Sequence, residues 1–195
     1  MQYREAKKYI LQRLKDELPP HLFYHGLHHT LDIVNSAVRI GEASGVSGHE
    51  MRLLKTAALF HDSGFIVSEK NHEMESCKLV QQILPDFGYT AEEIKRICGM
   101  IMATKIPQTP KNRLEEILCD ADLDYLGRDD YIPISTQLLH ELNHSKKLSE
   151  IDWLNTQVRF LEAHHYFTEI AKKDRKTGKD AVLRSLKSTL RKIKP

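Results

Sequence analysis

Four short runs carry most of the chemistry this chain could do: Tyr24-His25-Gly26-Leu27-His28-His29-Thr30, Phe60-His61-Asp62-Ser63-Gly64, Asn71-His72-Glu73 and Cys119-Asp120-Ala121-Asp122-Leu123. Histidine is abundant, eleven in 195 residues, and it is clustered. An imidazole offers a neutral nitrogen donor and a carboxylate a hard anionic oxygen. A mixed His/Asp shell therefore suits a divalent first-row ion or Mg²⁺ and needs no thiolate. His25 and His29 are four residues apart and share a face wherever that turn is helical. His61 and Asp62 lie about 100° apart around a helix, so both reach one ion only at the seam between their directions. A bundle core meets that condition, because facing helices project their ligands inward.

Each run taken alone has an ordinary structural explanation. A His-Asp pair at a helix end commonly caps the helix or pairs with a surface group, and the acids of Cys119-Asp120-Ala121-Asp122 could simply face solvent. Together these explanations fare worse. Ala57, Ala58, Leu59 and Phe60 before the doublet, and Phe65 and Ile66 after it, place His61-Asp62 beside the core. A carboxylate buried there is costly unless it is neutralised, and a cation neutralises it.

The elements that must position these residues read as helices. Tyr3, Ala6, Ile10, Leu11 and Leu14 line one face of a first helix, which Pro19-Pro20 stops. Leu31, Val34, Ala37 and Val38 continue the period in a second, ending near Gly41 or Gly45. Ser47-Gly48-His49-Glu50 predicts a capping box for a third, through Met51, Leu54, Ala57 and Phe60 to about Ser63-Gly64. A fourth is expected from Asn71 to Leu84, closed by Pro85. Thr90-Ala91-Glu92-Glu93 predicts a second capping box and a fifth helix through Ile94, Ile97, Ile101 and Met102. Leu114, Ile117 and Leu118 mark a sixth running into Asp122, and Ile134–Asn143, Ile151–Ala171 and Asp180–Ile193 read as later helices. No alternation long enough for a sheet and no internal repeat is present. The expected fold is all-α: one multi-helix domain over residues 1–195, with its motif core at 24–126 and further helices over 127–195.

Composition agrees with a folded domain. Hydrophobic residues make up 41% and charged residues 29%, with a net charge of +2, which excludes a self-repelling disordered coil. At about 150 residues per domain the length favours one. No apolar run approaches the roughly 20 residues of a membrane span. Met1 to Lys8 lacks the apolar stretch of a secretory signal, and the three cysteines, Cys77, Cys98 and Cys119, form neither an even set nor a C-x-x-C. A reduced, cytoplasmic protein is expected. From Ala171 to Pro195 there are ten Lys/Arg against two Asp, alongside an apolar stripe of Val182, Leu183, Leu186, Leu190 and Ile193. This basic tail, 171–195, is expected to dock by the stripe and solvate its charges; an anion-binding surface is the sharper alternative, with no nucleic-acid fingerprint to accompany it.

The order His29, His61-Asp62, Asp122 resembles the HD superfamily of metal-dependent phosphohydrolases, all-helical proteins named for the His-Asp doublet. The resemblance covers Tyr24 to Leu126. It implies one divalent cation (Mn, Mg, Co, Ni, Fe or Zn) held by His29, His61, Asp62 and Asp122, with Asp120 as the alternative to Asp122. Tyr24-His25-x-x-x-His29-Thr30 is similar to a stretch of the cyclic nucleotide phosphodiesterases in that superfamily. This selects His29 over His28 and implies that His25 is the general acid to the leaving oxygen. Binuclear members carry further histidines, commonly one and then a pair. His72 matches the first, but Met102-Ala103-Thr104-Lys105 has no histidine where the pair belongs, which argues against a second metal. His72, with Glu73 or Glu75, is then expected to contact substrate or a weak second ion, Lys105 to clamp phosphate, and Asp62 or its neighbouring acid to take a proton from water. The implied activity is hydrolysis of a small phosphate ester, a nucleotide or nucleotide-derived signal, with no membrane or nucleic-acid partner. The alternatives are a catalytically silent HD-type binding or regulatory module and a di-iron oxygenase, which needs more ligands than the sequence supplies. His140, His144, His164 and His165 lack a matching carboxylate motif and are expected to be surface or packing residues.

Overall fold

The computed structural model of the chain describes residues 1–193; Lys194 and Pro195, the end of the basic tail, lie outside them. Among the described residues there are only helices and turns. They form two compact units, one from Met1 to Asp122 and one beginning at Leu123.

The first unit holds α1 (Tyr3–Glu17), α2 (Leu27–Ala43), α3 (Gly48–Phe60), α4 (His72–Ile83), α5 (Ala91–Ala103) and α6 (Arg113–Asp122). Helix α3 is the centre: α1, α2, α5 and α6 all pack on it. Its sequence explains the position, because Leu53, Leu54, Ala57, Ala58 and Phe60 are fully buried and a helix apolar on most sides finds no stable solvent face. Around it, Ile10 of α1, Ile33, Ala37 and Ile40 of α2, Ile97 and Ile101 of α5, and Ile117 and Leu118 of α6 turn their apolar stripes inward. Helix α1 stops where Leu18, ahead of two prolines, turns extended (φ −64°, ψ 135°), as the proline ring requires of its predecessor. Helix α2 ends just before Gly45, and Gly41 stays within the helix.

The capping expectations divide. Thr90 and Glu93 make the reciprocal box, each side chain bonding the other's backbone amide. Ser47 does stand at the N-cap of α3, but its side chain makes no cap bond. Glu50 is drawn instead to Arg96 of α5, 2.8 Å away. A charge-assisted bond to a neighbouring helix outcompetes a local bond to the backbone here.

The second unit contains a 3-10 turn (Asp124–Gly127), α7 (Tyr131–Ser145), α8 (Glu150–Ala163) and α9 (Glu169–Ile193). The expected helix Ile151–Ala171 is in fact broken at His164, which is extended (ψ 138°), and the last helix starts at Glu169 rather than Asp180. The break is held by tertiary contact: Lys179 of α9, 7% exposed, donates to the carbonyls of Leu161 and His164 and so caps the end of α8. Helix α9 meets the 3-10 turn at Gly178 and Gly127, whose backbones come so close that a Cβ on Gly178 would lie 2.2 Å from the Gly127 carbonyl oxygen. Beside this crossing Arg175 grips Asp124 with both arms, Nε to Oδ1 at 2.8 Å and Nη2 to Oδ2 at 3.0 Å. Asp124 is 1% exposed. Arg175→Ala is expected to destabilise this unit by about 3 kcal/mol, the lower end for breaking a buried pair, because Arg128 remains nearby to share the carboxylate. Urea unfolding followed by circular dichroism measures it.

Candidate metal centre

The doublet leaves α3 at its end, and the way it leaves decides the geometry. His61 keeps helical angles (φ −55°, ψ −40°), whereas Asp62 (φ −106°, ψ 8°) turns off the helix and starts a 3-10 turn, Ser63–Ile66, accepting from the Phe65 amide. The two residues are therefore not held to a regular helical separation, and the Asp62 carboxylate swings to within 3.1 Å of His61 Nε2. His61 Nδ1 donates to the Ala58 carbonyl at 2.9 Å, which fixes the ring's orientation and turns Nε2 toward the cluster.

His29 comes from the first turn of α2, and Asp122 is the last residue of α6. Nε2 of His29 is 3.4 Å from Asp62 Oδ2 and 3.4 Å from Asp122 Oδ1; Nε2 of His61 is 3.4 Å from Asp122 Oδ1. One donor atom each from His29, His61 and Asp122 falls within a 4.8 Å cluster. Asp62 falls outside that three-residue cluster but contacts both imidazoles, so the structure gathers the four residues singled out in the sequence. Asp120, about 200° round α6 from Asp122, is fully buried and stands outside the group. His28 is exposed.

Whether a cation fits follows from the bonding. Both Nε2 atoms are buried and make no hydrogen bond, despite carboxylate oxygens 3.1–3.4 Å away. A buried polar atom left unpaired costs about 1–3 kcal/mol, so two such atoms facing acids call for something in between. Donors about 2.1 Å from a common ion lie about 3.0 Å apart at octahedral angles and about 3.4 Å apart at tetrahedral ones, which is the spacing of the four imidazole–carboxylate pairs here. Burial works against the charged forms of His29 and His61, but Asp62 and Asp122 outweigh it and raise both imidazoles, His61 strongly. Burial likewise opposes ionisation of Asp62 and Asp122, yet the two imidazoles hold Asp62 well below the usual carboxylate range and Asp122 at about 2. The acids stay ionised, and their field favours a cation.

Around this cluster stand the other residues singled out in the sequence. His72, in the first turn of α4, directs Nε2 to the second oxygen of Asp62, Oδ1, at 3.4 Å and to Glu73 Oε1 at 3.5 Å. Its Nδ1 faces the Glu69 carbonyl at 3.3 Å. His25 precedes α2 instead of sharing its face with His29, because Gly26 is the extended N-cap (ψ 180°). The ring nevertheless stands 5.8 Å from that of His29, edge-on, and stacks on Phe65 at 4.3 Å. Phe65 also stacks on His72, at 4.1 Å, so one phenyl ring supports both outer imidazoles, whose own centroids are 6.1 Å apart. Lys105 reaches Asn71 Oδ1 at 3.3 Å, next to His72. Glu75 pairs with Lys78 and points along α4. His140, His144 and His165 are exposed.

A profile of the HD domain matches residues 26–124, just over half of the chain and the stretch that contains the cluster. The chain belongs to the HD domain family. Two solved structures share the HD fold seen here. A predicted HD superfamily hydrolase from an uncultured Thermotogales bacterium is 19% identical, with a TM-score of 0.62 over 97% of this chain and 90% of that one. A protein from Lactobacillus plantarum is 18% identical, with a TM-score of 0.66 over 96% of each. No curated protein matches the sequence. HD family membership and the His/Asp cluster together support a metal-dependent hydrolase.

Three further residues shape this HD centre in ways the sequence does not disclose. Ser76 of α4 accepts from the Gly64 amide at 2.7 Å and donates to the His61 carbonyl at 2.7 Å, tying α4 to the doublet. Gly64 allows α4 to touch the turn, and Phe65 stacks on both His25 and His72. Gly64 and Phe65 stand two and three residues after the doublet, a position from which a close-packed turn could have been guessed; a serine inside α4 offers nothing comparable.

Proposed function

We propose that this chain is a metal-dependent phosphohydrolase that holds one divalent cation through His29, His61, Asp62 and Asp122 and cleaves a small phosphate ester, a nucleotide or a nucleotide-derived signal. The observation that carries this is the pair of buried, unbonded Nε2 atoms facing two ionised carboxylates. Such a cation supplies Lewis acidity toward a phosphoryl oxygen and brings the pKa of water toward neutrality.

The chain's own groups supply the rest. Asp62 has one oxygen toward the imidazole pair and the other toward His72, so it can take a proton from an attacking water and pass it outward. His25, held flat on Phe65 at the rim, is placed to protonate the departing alkoxide, a role that suits an imidazole near neutral pH. Lys105, beside Asn71, puts a positive charge next to His72 where the phosphate's remaining oxygens would lie. His72 and Glu73 then orient the substrate on the far side of Asp62.

The test is purification without added metal, elemental analysis, then a screen of nucleoside mono-, di- and triphosphates and cyclic dinucleotides with Mn²⁺, Co²⁺, Ni²⁺ and Mg²⁺. About one ion per chain and phosphate release with at least one substrate are expected. Metal bound with no turnover in any combination would sink the enzyme reading and leave a silent binding module.

A further inference from the structure

Two of the three thiols meet outside the metal centre. Cys77 of α4 donates to the Cys98 carbonyl at 3.6 Å, and Cys98 of α5 donates to the Cys77 carbonyl at 3.7 Å. The contact is reciprocal: each side chain lies against the other's backbone, so the two residues stand side by side on neighbouring helices. Each sulfur already lies within 3.7 Å of the other residue's backbone, and such close neighbourhood of two cysteines is the first condition a disulfide sets. Cys77 is buried, Cys98 is partly exposed, and neither is in a disulfide. Cys119 is not part of this pair; it is buried and donates to the Ala103 carbonyl at 3.2 Å.

We infer that Cys77 and Cys98 form an oxidisable dithiol, a modification site that low-molecular-weight disulfides such as oxidised glutathione close into a reversible link between α4 and α5. The part-exposed Cys98 is the entry point. Its thiolate attacks one sulfur of the glutathione disulfide and expels one glutathione thiolate, leaving a mixed disulfide on Cys98. Cys77 then gives up its proton and attacks the Cys98 sulfur, expelling the second glutathione. Two protein thiols are oxidised to one disulfide, and one glutathione disulfide is reduced to two thiols. The local bonding favours this order: the bond from Cys77 lowers the Cys98 thiol below its ordinary value, and the same pairing together with burial raises Cys77. Cys77 lies one helical turn beyond Glu73, so closure would pin the helix that presents His72.

The experiment is incubation of the full chain with excess oxidised glutathione, followed by thiol counting, intact mass and peptide mapping. The expected product has lost two thiols and two hydrogens, carries no glutathione, maps to a Cys77–Cys98 link and returns to the reduced mass with dithiothreitol. Cys77→Ser should instead trap glutathione on Cys98, a readout that survives modest loss of stability. Wild-type protein that stays fully reduced, or that accumulates glutathione adducts without the internal link, overturns the proposal. None of these readouts involves catalysis, so they stand or fall separately from the phosphohydrolase assignment.

Discussion

Asp62→Ala is expected to abolish metal retention and phosphate release together. Asp62 is the one member of the cluster with both side-chain oxygens in use, Oδ2 at 3.4 Å from His29 and 3.1 Å from His61, and Oδ1 at 3.4 Å from His72. Without it the two imidazoles face Asp122 alone, and the site loses half of the negative charge that attracts a cation. Changes to groups that merely orient a metal ligand already cost about 10–100-fold in affinity or activity, so loss of a ligand should exceed that. Truncation also strips a buried ion pair, and the fold could suffer. Asp62→Asn separates the effects: it keeps volume and removes charge, and should lose metal and turnover while its helical circular dichroism stays near wild type. Elemental analysis and a phosphate-release assay on the same preparation decide the matter. An Asp62→Asn protein that keeps its ion and hydrolyses at the wild-type rate would refute the site.

How far the sequence reaches is clearest at the doublet. His29, His61, Asp62 and Asp122 are recognisable because their chemistry is unusual for a core and their order is distinctive. The helices that carry them are legible too, since Leu53, Leu54, Ala57, Ala58 and Phe60 leave α3 little choice but the centre. What stays hidden is whatever depends on partners far along the chain. Ser47 and Glu50 have the local pattern of a capping box, yet Arg96, forty-six residues on, takes the glutamate. The stretch from Ile151 to Ala171 has a continuous helical period with neither Gly nor Pro to interrupt it, and it breaks at His164 because Lys179 caps the free carbonyls there. His25 and His29 have helical spacing but sit on either side of a helix start, since Gly26 takes an extended conformation. In each case a local preference worth about 1 kcal/mol gives way to a tertiary bond of similar or larger size.

Gly64→Ala is the substitution expected to do the most damage without touching a single site side chain. A Cβ at residue 64 would lie 1.9 Å from the His72 carbonyl oxygen and 2.7 Å from the Ser76 amide nitrogen. Both are backbone atoms of α4, so no side-chain rotation relieves the clash, and the first turns of α4 must retreat by about 1 Å or more. That retreat breaks the chain of bonds from the Gly64 amide through Ser76 Oγ to the His61 carbonyl, and it carries His72 away from Asp62 Oδ1. Overpacking of this kind costs about 1–3 kcal/mol, and the two buried hydrogen bonds add about 1 kcal/mol each. A total near 4 kcal/mol should appear as a clearly lowered melting temperature. Activity should fall further than stability alone explains, since a displacement of about 1 Å at a reacting centre costs about a hundredfold. Ser76→Ala offers the comparison: it deletes the bridge but leaves α4 room to stay in place, so it should destabilise by about 1–3 kcal/mol and lose less activity. If Gly64→Ala melted within a degree of wild type and hydrolysed at the same rate, the close seating of α4 on the doublet turn could not be what holds His72 in register with Asp62.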